Sequence, residues 1–155
     1  MSELDLYHTF ATTYRFHIEL DHLYVGGFSE ASGLTVETEY EEYAEGGVNG
    51  FVHRFPSRIR HEPIVLKRGL TVSPILWEWF QKSLDGMVER KSGSIILLDE
   101  NFEDWMIWDF YDAFPVKWIG PTLDASRSEV AIEQLEIVHQ GLVLKYNKRK
   151  EELEQ

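Results

Sequence analysis

The densest group of side chains with ligand chemistry is the stretch HIELDH from His17 to His22, which sets two imidazoles and two carboxylates close together. On an extended strand His17, Glu19 and Asp21 share one face while His22 turns to the other. A tetrahedral site needs further ligands, and the chain has no Cys and no second spaced His pair to close one. The stretch therefore reads as the wet face of a strand. Nucleophilic chemistry finds no better footing: Ser29, Ser32, Ser73 and Ser126 lie in no G-x-S-x-G elbow, and no Gly-rich loop leads into Lys and Ser or Thr to cradle a phosphate. Neighbouring carboxylates such as Glu41 and Glu42, or Asp99 and Glu100, are the residue types of a glycosidase pair, yet composition alone produces them in a chain with 27 acidic residues. Trp77, Trp79, Trp105, Trp108 and Trp118 have the bulk to line a ligand barrel, but core packing and subunit contacts are the ordinary uses of indole rings. No catalytic, cofactor-binding or metal-ligating residue is assigned.

The elements that would position these groups are mostly strands. Tyr14 to Asp21 alternates apolar and polar residues, as a half-buried strand does, and Gly26 and Gly27 break the pattern. Leu34, Val36, Thr38 and Tyr40 then alternate with Thr35, Glu37, Glu39 and Glu41, a second strand with an acidic wet face. EGGVNG, from Glu45 to Gly50, is a loop tip. Phe51 to Phe55 and Ile64 to Lys67 read as strands interrupted by Pro56 and Pro63. One helix is signalled, with Ser73 as N-cap, Pro74 in its first turn, Leu76, Trp79, Phe80 and Leu84 on one face, and Gly86 at its end. Ser94 to Leu98 is a further strand, and Trp105 to Trp118, carrying Pro115, reads as a strand on either side of a bend. Between Glu129 and Leu144 the spacing of Ile132, Leu135, Val138 and Leu142 favours a helix. The tail YNKRKEELEQ has no face to bury and is expected to fray unless a neighbouring subunit orders it. Many strands with one short helix predict a mainly β domain, a small barrel or sandwich.

Composition bounds the function. The 155 residues suit one compact domain. With 27 acidic against 15 basic residues and a formal charge of -12, the composition argues against a continuous phosphate-binding surface, although an acidic wall would keep a passing polymer from sticking. Without Cys, stability must come from packing and assembly. The N-terminal sequence MSELDLYHTFATTYRF lacks a basic segment followed by an apolar run, and no apolar stretch has the length of a membrane span. Folding and assembly in the cytoplasm are expected.

Three strings in the front half, YRFHIELD at Tyr14–Asp21, GGFSEASGLTVETEYEEYAEGGVNG at Gly26–Gly50 and HEPIVLKRGLT at His61–Thr71, resemble the phage tail tube protein family in their order. That family covers inner tube proteins of contractile phages and of extracellular contractile injection systems, and it is related to the ring-forming tube proteins of type VI secretion. The helix with WEWF at Trp77–Phe80 falls where the family has one. VAIEQLEIVHQGL at Val130–Leu142 resembles the family's final strand, which replaces the helical reading of that stretch.

The resemblance implies a small β-barrel of tail-tube type with one flanking α-helix, spanning residues 1–144, with 145–155 as a charged C-terminal tail. It implies homo-hexameric rings that stack into a conduit, with sheath, baseplate and spike proteins as partners, protein or nucleic acid as cargo, and neither cofactor nor membrane span. The region reaching toward the next ring in the family corresponds to Tyr40, Tyr43, Glu45, Val48, Asn49 and Phe51, expected to carry axial contacts. Glu19, Asp21, Glu37 and Glu39 are the candidates for an acidic conduit wall. A specialised ring near the baseplate, a monomeric ligand-binding barrel and a small hydrolase with an acidic cleft are the competing readings.

Overall fold

The computed structural model describes residues 15–47 and 50–147. Among the described residues ten strands and one helix follow in order: β1 (Phe16–Leu20), β2 (Leu23–Val25), β3 (Phe28–Ser32), β4 (Val36–Tyr43), β5 (His53–His61), β6 (Ile64–Gly69), α1 (Ile75–Leu84), β7 (Lys91–Leu98), β8 (Asp104–Ile119), β9 (Ile132–Val138) and β10 (Gly141–Asn147). The domain is mainly β. All strand pairings are antiparallel.

The long strand β8 organises the body. Its first half pairs β7 on one side and β10 on the other, and its second half, from Phe114 to Ile119, pairs β9. The change of partner falls beside Asp112, whose backbone is left-handed with φ 51°, so the expected bend lies inside one continuous strand. Two sheets thus share β8 and fold over a common core of Ile18, Leu20, Ile64, Leu66, Ile95, Phe110, Leu135 and Ile137. The hydrogen-bonded order β2-β1-β7-β8-β9-β6-β3 does not close into the expected barrel. Where β3 faces β1, β7 and β8, a gap of about 290 Å³ lined by Phe16, Ala31, Leu97 and Trp108 stands in place of a ladder.

Strand phase explains the core. In β6 the residues Ile64, Leu66 and Arg68 alternate inward, and in β9 Glu133, Leu135 and Ile137 do the same, each directly opposite its partner. The helical spacing of 132–142 is a coincidence of two strands meeting at a turn: β9 ends at Val138 and the chain returns as β10 through Asn147, past residue 144. Residues 148–155 lie outside the described ones.

Three further expectations are corrected. Strand β1 stops at Leu20, because Asp21 and His22 take positive φ (49° and 64°) and form a tight two-residue turn into β2. Pro56 does not interrupt β5, which runs through it at a register shift opposite Thr38 and Tyr40, a position where a missing N–H is tolerated. The N-cap of α1 is Pro74 rather than Ser73; the Ser73 carbonyl is held by Arg68 Nη2 at 2.8 Å and its hydroxyl caps nothing. The buried face of α1 is as read, with Leu76 and Trp79 sealed, but Leu84 is exposed. Gly86, with φ 79°, ends the helix.

Candidate functional site

Strands β4 and β5 form a two-stranded sheet of their own, hydrogen-bonded to nothing else among the described residues. Every residue of β4 is exposed, and in β5 only the end residues His53 and His61 are partly covered. The acidic strand expected to bury one face therefore buries neither. A lone hairpin is at best marginal in water, and its two outer edges present unpaired backbone groups.

Side-chain phase divides this hairpin into two faces. On one, Glu37 lies opposite Arg60, and Glu41 opposite Phe55, with Glu39 and Arg58 between them. Nearer the tip the same face carries Tyr43 opposite His53, with Phe51 edge-on to His53 at 5.0 Å and Phe55 stacked on it at 6.3 Å. The other face carries Val36, Thr38 and Tyr40 beside Ile59 and Pro56, an apolar stripe in which Tyr40 is 59% and Ile59 67% exposed. Arg54 pairs with Glu42 at 3.1 Å and lies over the Tyr40 ring, while Glu45 reaches His53 at 3.4 Å. Of the six stacking candidates, Tyr40, Tyr43, Glu45 and Phe51 are thus gathered on this hairpin and its tip. Val48 and Asn49 lie outside the described residues.

The acidic candidates fall in two places. Glu37 and Glu39 are on the hairpin. Glu19 and Asp21 line an open recess of about 690 Å³ on the outer face of the sheet formed by β1, β7, β8 and β10, joined there by Asp104 and Asp109. Asp109 is nearly buried, accepts a hydrogen bond from Ser94 Oγ at 2.6 Å and meets Lys145 Nζ at 3.2 Å. The hydrogen bond that Lys145 donates to Asp109, and then the charge of that carboxylate, hold the Lys145 pKa above its ordinary value. Asp21 is bridged to Lys91 at 3.2 Å. In the HIELDH stretch His17 and Glu19 approach to 3.7 Å, and no group of three potential ligands is placed to hold a metal ion among the described residues.

Two features escaped the sequence reading. The basic complement of the hairpin, Arg54, Arg58 and Arg60, was legible as the contrast between VETEYEEY and HRFPSRIRH. The buried pair Arg68 and Glu133 was hidden, because neither residue signals its partner along the chain.

The described residues thus form a double-sheet body that carries an unsupported, mixed-charge hairpin. The family model described as T4-like virus tail tube protein gp19 matches residues 12–143, and the chain belongs to that family of tube proteins. A comparison with curated proteins found no match. Among solved structures, a chain of the sheath-tube complex of an extracellular contractile injection system, PVC, in its extended state has the same fold, with a TM-score of 0.82 at 22% identity, covering 94% of this chain and 98% of that one. The tube terminating cap of the anti-feeding prophage is similar at a TM-score of 0.81 and 27% identity, over 88% of this chain and 91% of that one. Hcp1 from Flavobacterium johnsoniae shares the fold at a TM-score of 0.53 and 16% identity, over 86% of this chain and 98% of that one. No helix among the described residues is long and apolar enough to cross a membrane.

Proposed function

We propose that the chain forms homo-hexameric rings that stack as the inner tube of a contractile phage tail or extracellular injection particle, and that it performs no catalysis. The observation that carries this reading is the β4–β5 hairpin, seventeen strand residues with both edges unpaired and neither face covered, an arrangement that gains stability only when a neighbour covers it. Assembly in the cytoplasm, a sheath around the tube, and baseplate and spike proteins at its end complete the proposal, in line with the sheath-tube complex in which a similar chain occurs. The domain, expected to end at residue 144 and carried by β10 to Asn147, forms the wall, and the charged residues beyond it are an extension of it.

Axial contacts are assigned to Tyr40, Tyr43, Glu45, Val48, Asn49 and Phe51, of which Tyr43 and Phe51 are exposed at the hairpin tip. Lateral contacts are assigned to the sheet edges. The acidic conduit wall is assigned to Glu19 and Asp21, so that protein or nucleic-acid cargo meets like charge, whereas Glu37 and Glu39 share their hairpin face with Arg58 and Arg60. Similarity to the anti-feeding prophage cap supports a second reading, a specialised terminal or baseplate-proximal ring.

Size-exclusion chromatography with negative-stain microscopy of the purified chain tests both. Six-fold rings that extend into tubes are expected of the main tube subunit, and single rings that never extend are expected of the specialised one. A monomer under every condition would return the decision to a ligand-binding barrel or a small hydrolase.

A further inference from the structure

The projecting hairpin is segregated by charge. Strand β4 carries Glu37, Glu39, Glu41 and Glu42 and no base, whereas β5 carries Arg54, Arg58 and Arg60, with His53 and His61, and no acid. Only the tip neutralises itself: among the described residues the ion pairs inside the hairpin are Arg54 with Glu42 and His53 with Glu45. Glu37 stands directly opposite Arg60 in register without forming a pair. Glu37, Glu39, Glu41, Arg58 and Arg60 are thus left exposed and unpaired on one face of the hairpin, the acids all on β4 and the bases all on β5, and each strand is also an outer edge of the two-stranded sheet.

From this we infer that the occupant of the hairpin's edges is a second copy of the same hairpin, with the acidic β4 edge of one subunit laid against the basic β5 edge of the next. The inference rests on the tube reading above and adds to it the rule by which neighbours are selected.

Symmetry makes the match possible. Copies related by rotation about an axis along the strands keep their strand directions, so β5 of one copy runs antiparallel to β4 of the next. The contact is heterologous, acid to base at every junction, and it closes once around a ring. Carboxylate and guanidinium also pair bidentately, which fixes register as well as attraction. The reverse contacts, β4 to β4 or β5 to β5, set like charges side by side and are disfavoured. Charge segregation therefore specifies both partner and direction, which an apolar edge would not.

The test uses the full chain in two reversed forms, the triple variant E37K/E39K/E41K and the double variant R58E/R60E. Each alone is expected to remain monomeric in size-exclusion chromatography with light scattering, because every junction then repels. Mixed in equal amounts they are expected to assemble, since copies that alternate around a ring of six restore acid to base at each junction. The five-site variant combining both sets is expected to assemble alone with the signs exchanged, and it keeps opposite charges facing across its own strands if a single-strand reversal harms the hairpin. Ring formation is read by negative-stain microscopy, and folding by circular dichroism. Rings from both reversed variants separately, or failure of both the mixture and the five-site variant while they remain folded, would overturn the charge rule and leave the tube reading intact. A wild-type chain that forms no ring under any condition counts against the tube reading and takes the charge rule with it.

Discussion

Arg68 and Glu133 face each other in register across β6 and β9 and are both closed to solvent, at 2% and 3% exposure, with a hydrogen bond between Nε and Oε1. Two further hydrogen bonds engage the pair: Arg68 Nη2 donates to the Ser73 carbonyl at 2.8 Å, and Trp118 Nε1 donates to Glu133 Oε2 at 3.1 Å. One ion pair thus ties the two strands to the entry of α1 and to β8.

Removal of either partner strands the other in the core. Arg68→Ala or Glu133→Ala is expected to cost about 3–5 kcal/mol, whereas replacing both by Met and Leu of similar volume should be close to neutral. Urea unfolding of the three variants checks this. Equal losses in the single and the double variants would mean that the pair acts through packing alone.

The helix entry supplies a contrast between two neighbouring positions. Ser73 makes no cap, so Ser73→Ala should stay within roughly 0.5 kcal/mol of wild type, as for a surface change away from special features. Trp79 is 2% exposed and donates its indole N–H to the Glu89 carbonyl at 2.7 Å, so Trp79→Ala should cost about 3–5 kcal/mol. Chemical denaturation distinguishes them, and a loss of ~1 kcal/mol in the Ser73 variant would restore a capping role.

Strand periods and the one helix were legible because apolar alternation and turn residues are local signals. The α1 face was readable from Leu76 and Trp79, and the turn-rich tip from Gly46 and Gly47. What escaped was tertiary. Whether Val36, Tyr40 and Ile59 meet a core depends on where the hairpin goes, which no period encodes, and the inward charges at Arg68 and Glu133 look like any wet strand positions until the register sets them opposite each other. The helix that periodicity alone favoured between Glu129 and Leu144, and that the resemblance had replaced by a strand, misled for a related reason, since a 3.6-residue spacing sampled across a strand, a turn and a second strand mimics one face of a helix.

Gly93 is a place where backbone packing leaves no room. A Cβ there would stand 2.4 Å from the Glu19 carbonyl oxygen and 2.5 Å from Cζ of the fully buried Phe110, with β1 on one side and β8 on the other. Gly93→Ala is expected to destabilise by about 1–3 kcal/mol or more through overpacking. A thermal melt superimposable on wild type would show that β7 yields without cost.

The ring of His139 lies 4.9 Å from that of His61, where the root of the hairpin meets the β9–β10 turn. Burial, and then the neighbouring imidazole, pushes the His139 pKa below its ordinary value. The unfolded chain therefore binds the extra proton more readily than the folded one. This contribution is fully present above the unfolded value of about 6.5 and is lost as pH falls through the lower folded value. Stability measured from pH 8 to pH 5 should decline on the acid side of ~6.5, and His139→Gln should flatten that part of the profile. An unchanged slope in the variant would assign the acid sensitivity to other groups.

The proposed stacking and ring-closing contacts fall on different parts of the hairpin. Tyr43 and Phe51 are 60% and 61% exposed, and the rings of Phe51, His53 and Phe55 form a continuous aromatic ladder along the same face. An apolar cluster of this kind, held away from the body on a narrow support, is costly in water and fits the role of a contact with another subunit. Most of the unpaired charges, Glu37, Glu39, Arg58 and Arg60, lie toward the root, with Glu41 opposite Phe55, so on the proposed reading tip and root address different neighbours. The paired substitution Tyr43→Glu and Phe51→Glu is expected to abolish tubes while single rings persist, because it places charge at the aromatic contact and leaves the root and the core untouched. Microscopy should then show isolated rings in place of tubes, and circular dichroism should match wild type. Normal tubes from this variant would remove the tip from the axial contact, and loss of rings as well would show that tip and root act as one interface.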